Sequence, residues 1–493
     1  MKNSILLAVS LLIYLTGSAQ TENPYVFKIN GVSDSTIYLA NYYGEKLYYA
    51  DTTRADANGN FSFKGLEEEK EGKYAVVLPG PRYFEIIIAD GEEIEMHSDT
   101  ADLTGGMNVL KSENNTIVYE YMDYLKERRT EREKLLEKLE ANEGKPRVTK
   151  KIKEEYNALN DKVTAYQKKI VDENPDKFAA KEIAVSIDPE PPVEIRDDKT
   201  KAYYYYKKHY FDNIDLKDDR LVRTPVFHGK LDNFLNKTLI QDPDTVTDAM
   251  DQLIEKLEPG SDMFKYVVHY ATYNFETSQI MGMDKAFVHM VDTYYTNDLA
   301  FWMDEERLET IREKADQKRY TLIGFEAPEL ILQDTAGTWV STHRDLKEKY
   351  VVLFFYDPDC GHCKKETPKL VEFYKDYDKD LLGIYAVSSD NLDKRKKFIE
   401  KYEMDSIYNV GIPQKAFDDA DFATRLITTG KSNLKSLKYQ ETFDVFSTPK
   451  VIILDENREI RAKDIGVDKI AELIERFEKM DADEKASKGA MDN

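Results

Sequence analysis

From Tyr25 to about Asp99, apolar and polar residues alternate in short runs: YVFKING, STIYLANYY, KLYYADTT, NFSFKG, KYAVVL, RYFEIII and EEIEMHS. A period of two with β-branched and aromatic enrichment marks half-buried strands. Turn clusters at Asp56-Ala57-Asn58-Gly59-Asn60 and Pro79-Gly80-Pro81 separate the runs. Seven short strands at this spacing predict a β-sandwich over residues 25–105. The Asp/Asn/Gly cluster lacks the later bidentate acid of an EF-hand and reads as a hairpin turn.

The period then changes. Val148, Ile152, Tyr156, Leu159, Val163, Tyr166 and Ile170 recur at intervals of three and four, one stripe of a helix. Val118, Met122, Leu125, Leu135 and Leu139 form a rougher stripe before it, and Glu143-Gly144-Lys145-Pro146 breaks the two. The pattern predicts an antiparallel helical hairpin over 113–174, its charged faces in solvent. Asp188-Pro189-Glu190-Pro191-Pro192 is an extended connection, because each proline biases its predecessor out of the helix. An α-helical domain follows over 190–320, with AYYYYKKHYFDNI and DAMDQLIEKL among its helices. Four successive tyrosines, Tyr203–Tyr206, must point around a helix in several directions, so some are exposed. Over 321–480 strands such as YVVLFFY, LLGIYAVS and PKVIILD alternate with helices, the pattern of an α/β layer domain. The polar residues 481–493 read as a disordered tail.

Length and charge bound the class. A chain of 493 residues is too long for one core, and a net charge of −23 argues against nucleic acid as a partner. Lys2, the apolar run Ile5–Leu15 and the small residues Gly17-Ser18-Ala19 have the form of a signal peptide over residues 1–19. No later apolar stretch is long enough to span a bilayer, so no transmembrane segment is expected in the mature protein, and its place is the periplasm or cell envelope.

Export sharpens the reading of the cysteines. The chain has two, Cys360 and Cys363, in FFYDPDCGHCKKETPKL. A disulfide between them closes so short a loop that it is a poor staple. Zinc needs about four ligands, and the chain holds neither a second cysteine pair nor histidines at ligand spacing, so no metal site is assigned. Two soft thiolates also suit Cu(I). Redox chemistry fits best. Pro358 stops the strand and Cys360 falls where the next helix begins, facing free N–H groups and the positive end of the helix dipole. Such a position lowers a thiol pKa from about 8.5 toward neutrality. Asp357 and Asp359 oppose the shift; Lys364, Lys365 and a charged His362 assist it. Cys360 can attack a disulfide, and Cys363, one turn further in, can resolve the mixed disulfide.

These residues resemble the thioredoxin superfamily, in particular its TlpA-like branch of exported thiol-disulfide oxidoreductases. The approach GFEAPELILQDTAGTWVSTHRDLKEKY is similar to that branch, and Pro368 matches its helix proline. The stretch FSTPKVIILDENREI resembles the cis-proline loop and the strand after it. The resemblance implies an α/β thioredoxin fold, a cis Pro449, a Thr448 backbone that binds substrate, and redox tuning by Gly361 and His362. It gives Glu366 the task of moving protons near the buried thiol, and it calls for no cofactor. Two departures stand out. Phe354 occupies the place of the thioredoxin aspartate, and Pro449 lies 89 positions after Cys360, a surplus that includes Met404–Phe446. The β-rich and helical segments resemble uncharacterised domains placed before thioredoxin domains in envelope proteins.

Protein clients with disulfides or dithiols and a membrane or periplasmic thiol electron donor or acceptor are the expected partners. A histidine between the cysteines favours oxidation or isomerisation; the TlpA-like resemblance favours a reductase, with cytochrome c maturation as one setting. Two other readings compete. A peroxiredoxin-type peroxidase carries Thr or Ser three residues before its reactive cysteine, where this chain has Asp357. An envelope adaptor would bind its partner through the N-terminal domains and use the thioredoxin domain as an accessory.

Overall fold

The computed structural model describes residues 25–65, 71–80, 82–89, 91–389 and 391–491. The signal peptide expected at 1–19 lies outside them. Contacts divide the chain into two units, Met1–Thr238 and Leu239–Asn493. The division falls within the helical segment expected at 190–320.

In the first unit the alternating runs form two four-stranded sheets. β4 (Asn60–Phe63), β1 (Tyr25–Asn30), β7 (Ile94–Asp99) and β8 (Asn108–Lys111) make one, in that order. β3 (Lys46–Arg54), β2 (Thr36–Tyr43), β5 (Gly72–Leu78) and β6 (Arg82–Ile88) make the other. Phe27, Phe61 and Met96 of the first sheet share one core with Leu39, Tyr74, Val76 and Phe84 of the second, as a sandwich requires. β8 is an eighth strand, beyond the expected limit at residue 105. Ser112 caps helix α1 (Glu113–Glu140) by accepting the Asn115 N–H. The Asn115 side chain then bonds both the N–H and the C=O of Ile87, each at 2.8 Å, and so fixes the helix to β6.

α1 and α2 (Pro146–Glu173) form the hairpin, with Gly144 at φ +86° in the turn. Ile152, Leu159 and Ile170 of the stripe are buried, whereas Val148, beside the connecting turn, is exposed. Tyr124 and Tyr166 stack across the pair with centroids 4.0 Å apart. α3 (Phe178–Val185), α4 (Lys199–Lys208) and α5 (Pro225–Asn233) follow. The tyrosine helix α4 stops at Lys208, short of the Ile214 end expected for it, and Tyr204 faces solvent.

The second unit begins with α6 (Pro243–Ile254), α7 (Asp262–Glu276), α8 (Asp284–Tyr294) and α9 (Glu305–Arg319). It continues as a seven-stranded sheet ordered β10-β9-β13-β12-β11-β14-β15. The strands are β9 (Ile331–Asp334), β10 (Trp339–Ser341), β11 (Tyr350–Tyr356), β12 (Leu382–Ser388), β13 (Tyr408–Gly411), β14 (Lys450–Leu454) and β15 (Ile460–Lys463). β11, β12 and β13 are parallel; β14 and β15 join antiparallel on one side and β9 and β10 on the other. β11 is buried at every position, because both sheet faces are covered. On one face it meets α10 (Gly361–Lys375), α11 (Leu392–Tyr402) and α13 (Ile470–Met491), through Leu370, Tyr374, Phe398, Ile470 and Ile474.

The surplus Met404–Phe446 is built into the domain. It supplies β13 in the middle of the sheet, α12 (Ala420–Thr428) and three shorter helices. Tyr439 and Phe443 from this segment pack on Phe355 with ring centroids 5.7 and 5.4 Å away. The expected tail from Asp481 is instead the end of α13, which runs to Met491. Asp481 is held there by Tyr350 at 3.1 Å and Arg461 at 3.2 Å.

Candidate active site

The site begins where β11 ends. In the turn that follows, Asp357 Oδ1 accepts the Asp359 N–H at 2.7 Å, and the Cys360 N–H donates to the Asp357 carbonyl at 3.1 Å. Cys360 is thereby set as the N-cap of α10, with φ −66° and ψ 127°. Cys363 lies in the first turn and is fully buried, Cys360 is half-buried, and both are free thiols. Gly361 and His362 are exposed between them, and Pro368 lies inside the helix.

The loop before β14 closes the site. The Thr448–Pro449 peptide bond is cis, and the Cys360 thiol donates to the Thr448 carbonyl at 3.2 Å. The carbonyl expected to meet a substrate therefore already touches the sulfur. Partial burial pushes the Cys360 thiol up, but the Cys363 N–H, Thr448, the Cys363 thiol and the His362 N–H outweigh it and hold the group below its ordinary value. Burial pushes Cys363 up to about 11, against the Asp357 N–H, which lies 3.5 Å from its sulfur. Two cysteines three residues apart thus differ in opposite directions.

The neighbouring charges play smaller parts than their number suggests. The Asp359 carboxylate is taken up by Lys394 at 2.6 Å, and Lys364 bonds the Asp359 carbonyl at 3.0 Å. Glu366 is half-buried, and its carboxylate pairs with Lys369 at 2.6 Å. Phe354, in the place of the thioredoxin aspartate, is fully buried, 5.8 Å from the Tyr356 ring. Among the described residues no group of three or more His, Cys, Asp or Glu is placed to hold a metal ion. Two residues that the sequence reading passed over lie near this region: Tyr356, which shares a core cluster with Cys363 and whose buried hydroxyl has no hydrogen-bond partner among the described residues, and Arg395, buried on α11.

A mixed sheet with three parallel strands at its centre, a dithiol at a helix start and a cis-proline loop against the first sulfur define a thioredoxin-like domain. Comparison with known proteins agrees: residues 323–463 match the AhpC/TSA family, and residues 146–320 match a domain of unknown function, DUF5106. The chain is 34% identical over 83 residues to thiol-disulfide oxidoreductase ResA of Bacillus cereus, covering 17% of this chain and 47% of ResA. It therefore spans about half the length of that relative. Thioredoxin-like protein YneN of Bacillus subtilis is 28% identical over 143 residues, 29% of this chain and 71% of YneN. Among solved structures, a thioredoxin-like protein from Bacteroides caccae matches at 17% identity with a TM-score of 0.42, over 58% of this chain and 97% of its own. No helix among the described residues is long and apolar enough to cross a membrane.

Proposed function

We propose that the protein is an exported thiol-disulfide oxidoreductase of the periplasm or cell envelope that exchanges disulfides with protein clients through Cys360 and Cys363. The observation that carries this is the inequality of the two sulfurs: one half-exposed at a helix start with its pKa lowered, the other buried one turn in with its pKa raised. The Cys360 thiolate attacks a client disulfide, forming a Cys360–client bond and releasing the client's other sulfur as a thiolate. Cys363 gives up its proton and attacks the Cys360 sulfur. The client is released with two more electrons, and the protein holds a Cys360–Cys363 disulfide. A thiol donor reverses that oxidation; run backwards, the same steps oxidise a dithiol.

Kinship in the domain to proteins named thiol-disulfide oxidoreductase supports a reductase or isomerase, with cytochrome c maturation as the setting to test first. Thr448 and Pro449 line the client's approach, Gly361 and His362 tune the dithiol, and Glu366 serves as proton carrier. Trapping tests the reading. Cys363→Ala in the native envelope accumulates mixed disulfides through Cys360, whereas Cys360→Ala yields none. An empty trap, or rapid peroxide consumption that depends on Cys360, sinks the proposal. Equilibration with glutathione then sets direction: a potential near about −270 mV marks a reductant and one near about −120 mV an oxidant.

A further inference from the structure

Among the described residues of the second unit, two arginines are buried in opposite surroundings. Arg458 gives its guanidinium to four backbone carbonyls: Thr342 at 3.0 Å, Glu348 and Asp455 at 3.1 Å and Leu346 at 2.8 Å. Arg395 is 3% exposed, and its Nε and Nη1 have no hydrogen-bond acceptor among the described residues. A buried charge without acceptors costs a great deal of stability, so its position calls for a reason.

The topology supplies one. Tyr356, Ser388 and Gly411 lie in one row across β11, β12 and β13. A Cβ at position 411 would stand 2.0 Å from Arg395 Nη1, so glycine there admits the guanidinium over the row. Phe398, one turn along α11 from Arg395, packs its ring 4.9 Å from the Tyr356 ring, and both share a core cluster with Cys363. The buried Tyr356 hydroxyl has no hydrogen-bond partner among the described residues, and Arg395 and Cys363 are among the groups that act on it electrostatically. We propose that Arg395 is a positioning residue for the resolving step: it polarises the Tyr356 hydroxyl, which donates a hydrogen bond to the Cys363 sulfur as that sulfur becomes a thiolate.

The inference rests on the disulfide-exchange reading and deepens it. Burial keeps the Tyr356 hydroxyl protonated and Arg395 opposes it, so the hydroxyl donates strongly without losing its proton. The Cys363 proton leaves by way of Glu366, the proposed proton carrier, to the thiolate released from the client in the first exchange. Other groups facing Arg395 are Asp334 on β9 and Tyr439 of the surplus segment; Cys363 also faces Cys360, the Asp357 N–H and Thr448. Asp334 is already engaged by the Ala336 and Thr338 N–H groups, both at 2.8 Å. Tyr356 therefore remains the route from Arg395 to the buried sulfur.

Ellman's reagent, an aromatic disulfide, separates the steps in the full-length reduced protein. Attack by Cys360 releases the first thionitrobenzoate, and attack by Cys363 on the mixed disulfide releases the second. Arg395→Met and Tyr356→Phe each move the pH midpoint of the second phase up by about one unit, which slows that phase about threefold at pH 7 after the greater nucleophilicity of the more basic thiolate is counted, and leave the first phase unchanged. The double variant is no slower than Tyr356→Phe, and Arg395→Lys recovers most of the rate. Tyr356→Phe removes one hydroxyl only and carries the test alone where Arg395→Met does not fold. A second phase untouched by Tyr356→Phe, or losses that multiply in the double variant, overturns the proposal. A wild-type protein without a second phase, or a first phase that survives Cys360→Ala, overturns the exchange reading beneath it.

Discussion

Alkylation rates of the two cysteines give a direct measure of how far the helix start and the core pull their thiols apart. In the folded protein Cys360 lies below the ordinary value of 9.0 and Cys363 at about 11. A gap of two units or more gives Cys360 at least about a hundredfold larger thiolate fraction at pH 7. The more basic thiolate is intrinsically the better nucleophile; with a Brønsted slope near 0.5, two units return about tenfold to Cys363. Ionisation alone thus leaves about tenfold in favour of Cys360. Access adds to it, because Cys363 is 0% exposed and the reagent can reach it only through local opening. With iodoacetamide in limited amount at pH 7, Cys363→Ala should react more than about tenfold faster than Cys360→Ala. Guanidinium should erase the difference, since both thiols then return to ordinary values. Equal rates in the folded protein, or a faster Cys363, would refute the assignment of attacker and resolver.

Alkaline stability offers a second check on the buried thiol. A thiol whose folded pKa is raised stabilises the fold below its unfolded pKa and loses that contribution as pH climbs through the folded one. The reduced protein should therefore lose about 3 kcal/mol between pH 9.0 and about 11 relative to Cys363→Ala, seen as converging melting temperatures. Client contact is tested at Phe446, which is 78% exposed two residues before Thr448. Phe446→Ser should slow exchange with protein disulfides several-fold and leave Ellman's reagent unaffected; equal slowing of both would place its role elsewhere. In the first unit, Lys73 is held by Glu182 at 2.7 Å and Glu85 at 3.2 Å, with little exposure. Glu182→Ala leaves that ammonium short of one partner and should cost about 3–5 kcal/mol by urea denaturation of that unit. A loss under about 1 kcal/mol would mean that Glu85 alone suffices.

Local patterns reached the parts of this protein that local forces shape. Period-two runs became the strands of the sandwich, the Ile152–Ile170 stripe became the buried face of α2, and the turn before Cys360 became the start of α10. Groups joined only by topology were harder to read. β13 is four residues long, and its place between β9 and β12 follows from pairings with strands far away in the chain. Glu366 entered by resemblance, yet Lys369 engages its carboxylate, and the row Tyr356, Ser388 and Gly411 beneath Arg395 is assembled from three strands. Arg395 sits in LDKRKKFIEKY, where neighbouring lysines suggest a solvated helix face. Its register says otherwise: Phe398, Ile399 and Tyr402 lie three, four and seven positions on, the spacing of a core-facing stripe. A charged residue on such a stripe must either meet its acceptors inside or leave a buried charge unpaired. Arg458 takes the first course, and Arg395, whose Nε and Nη1 have no acceptor among the described residues, takes the second.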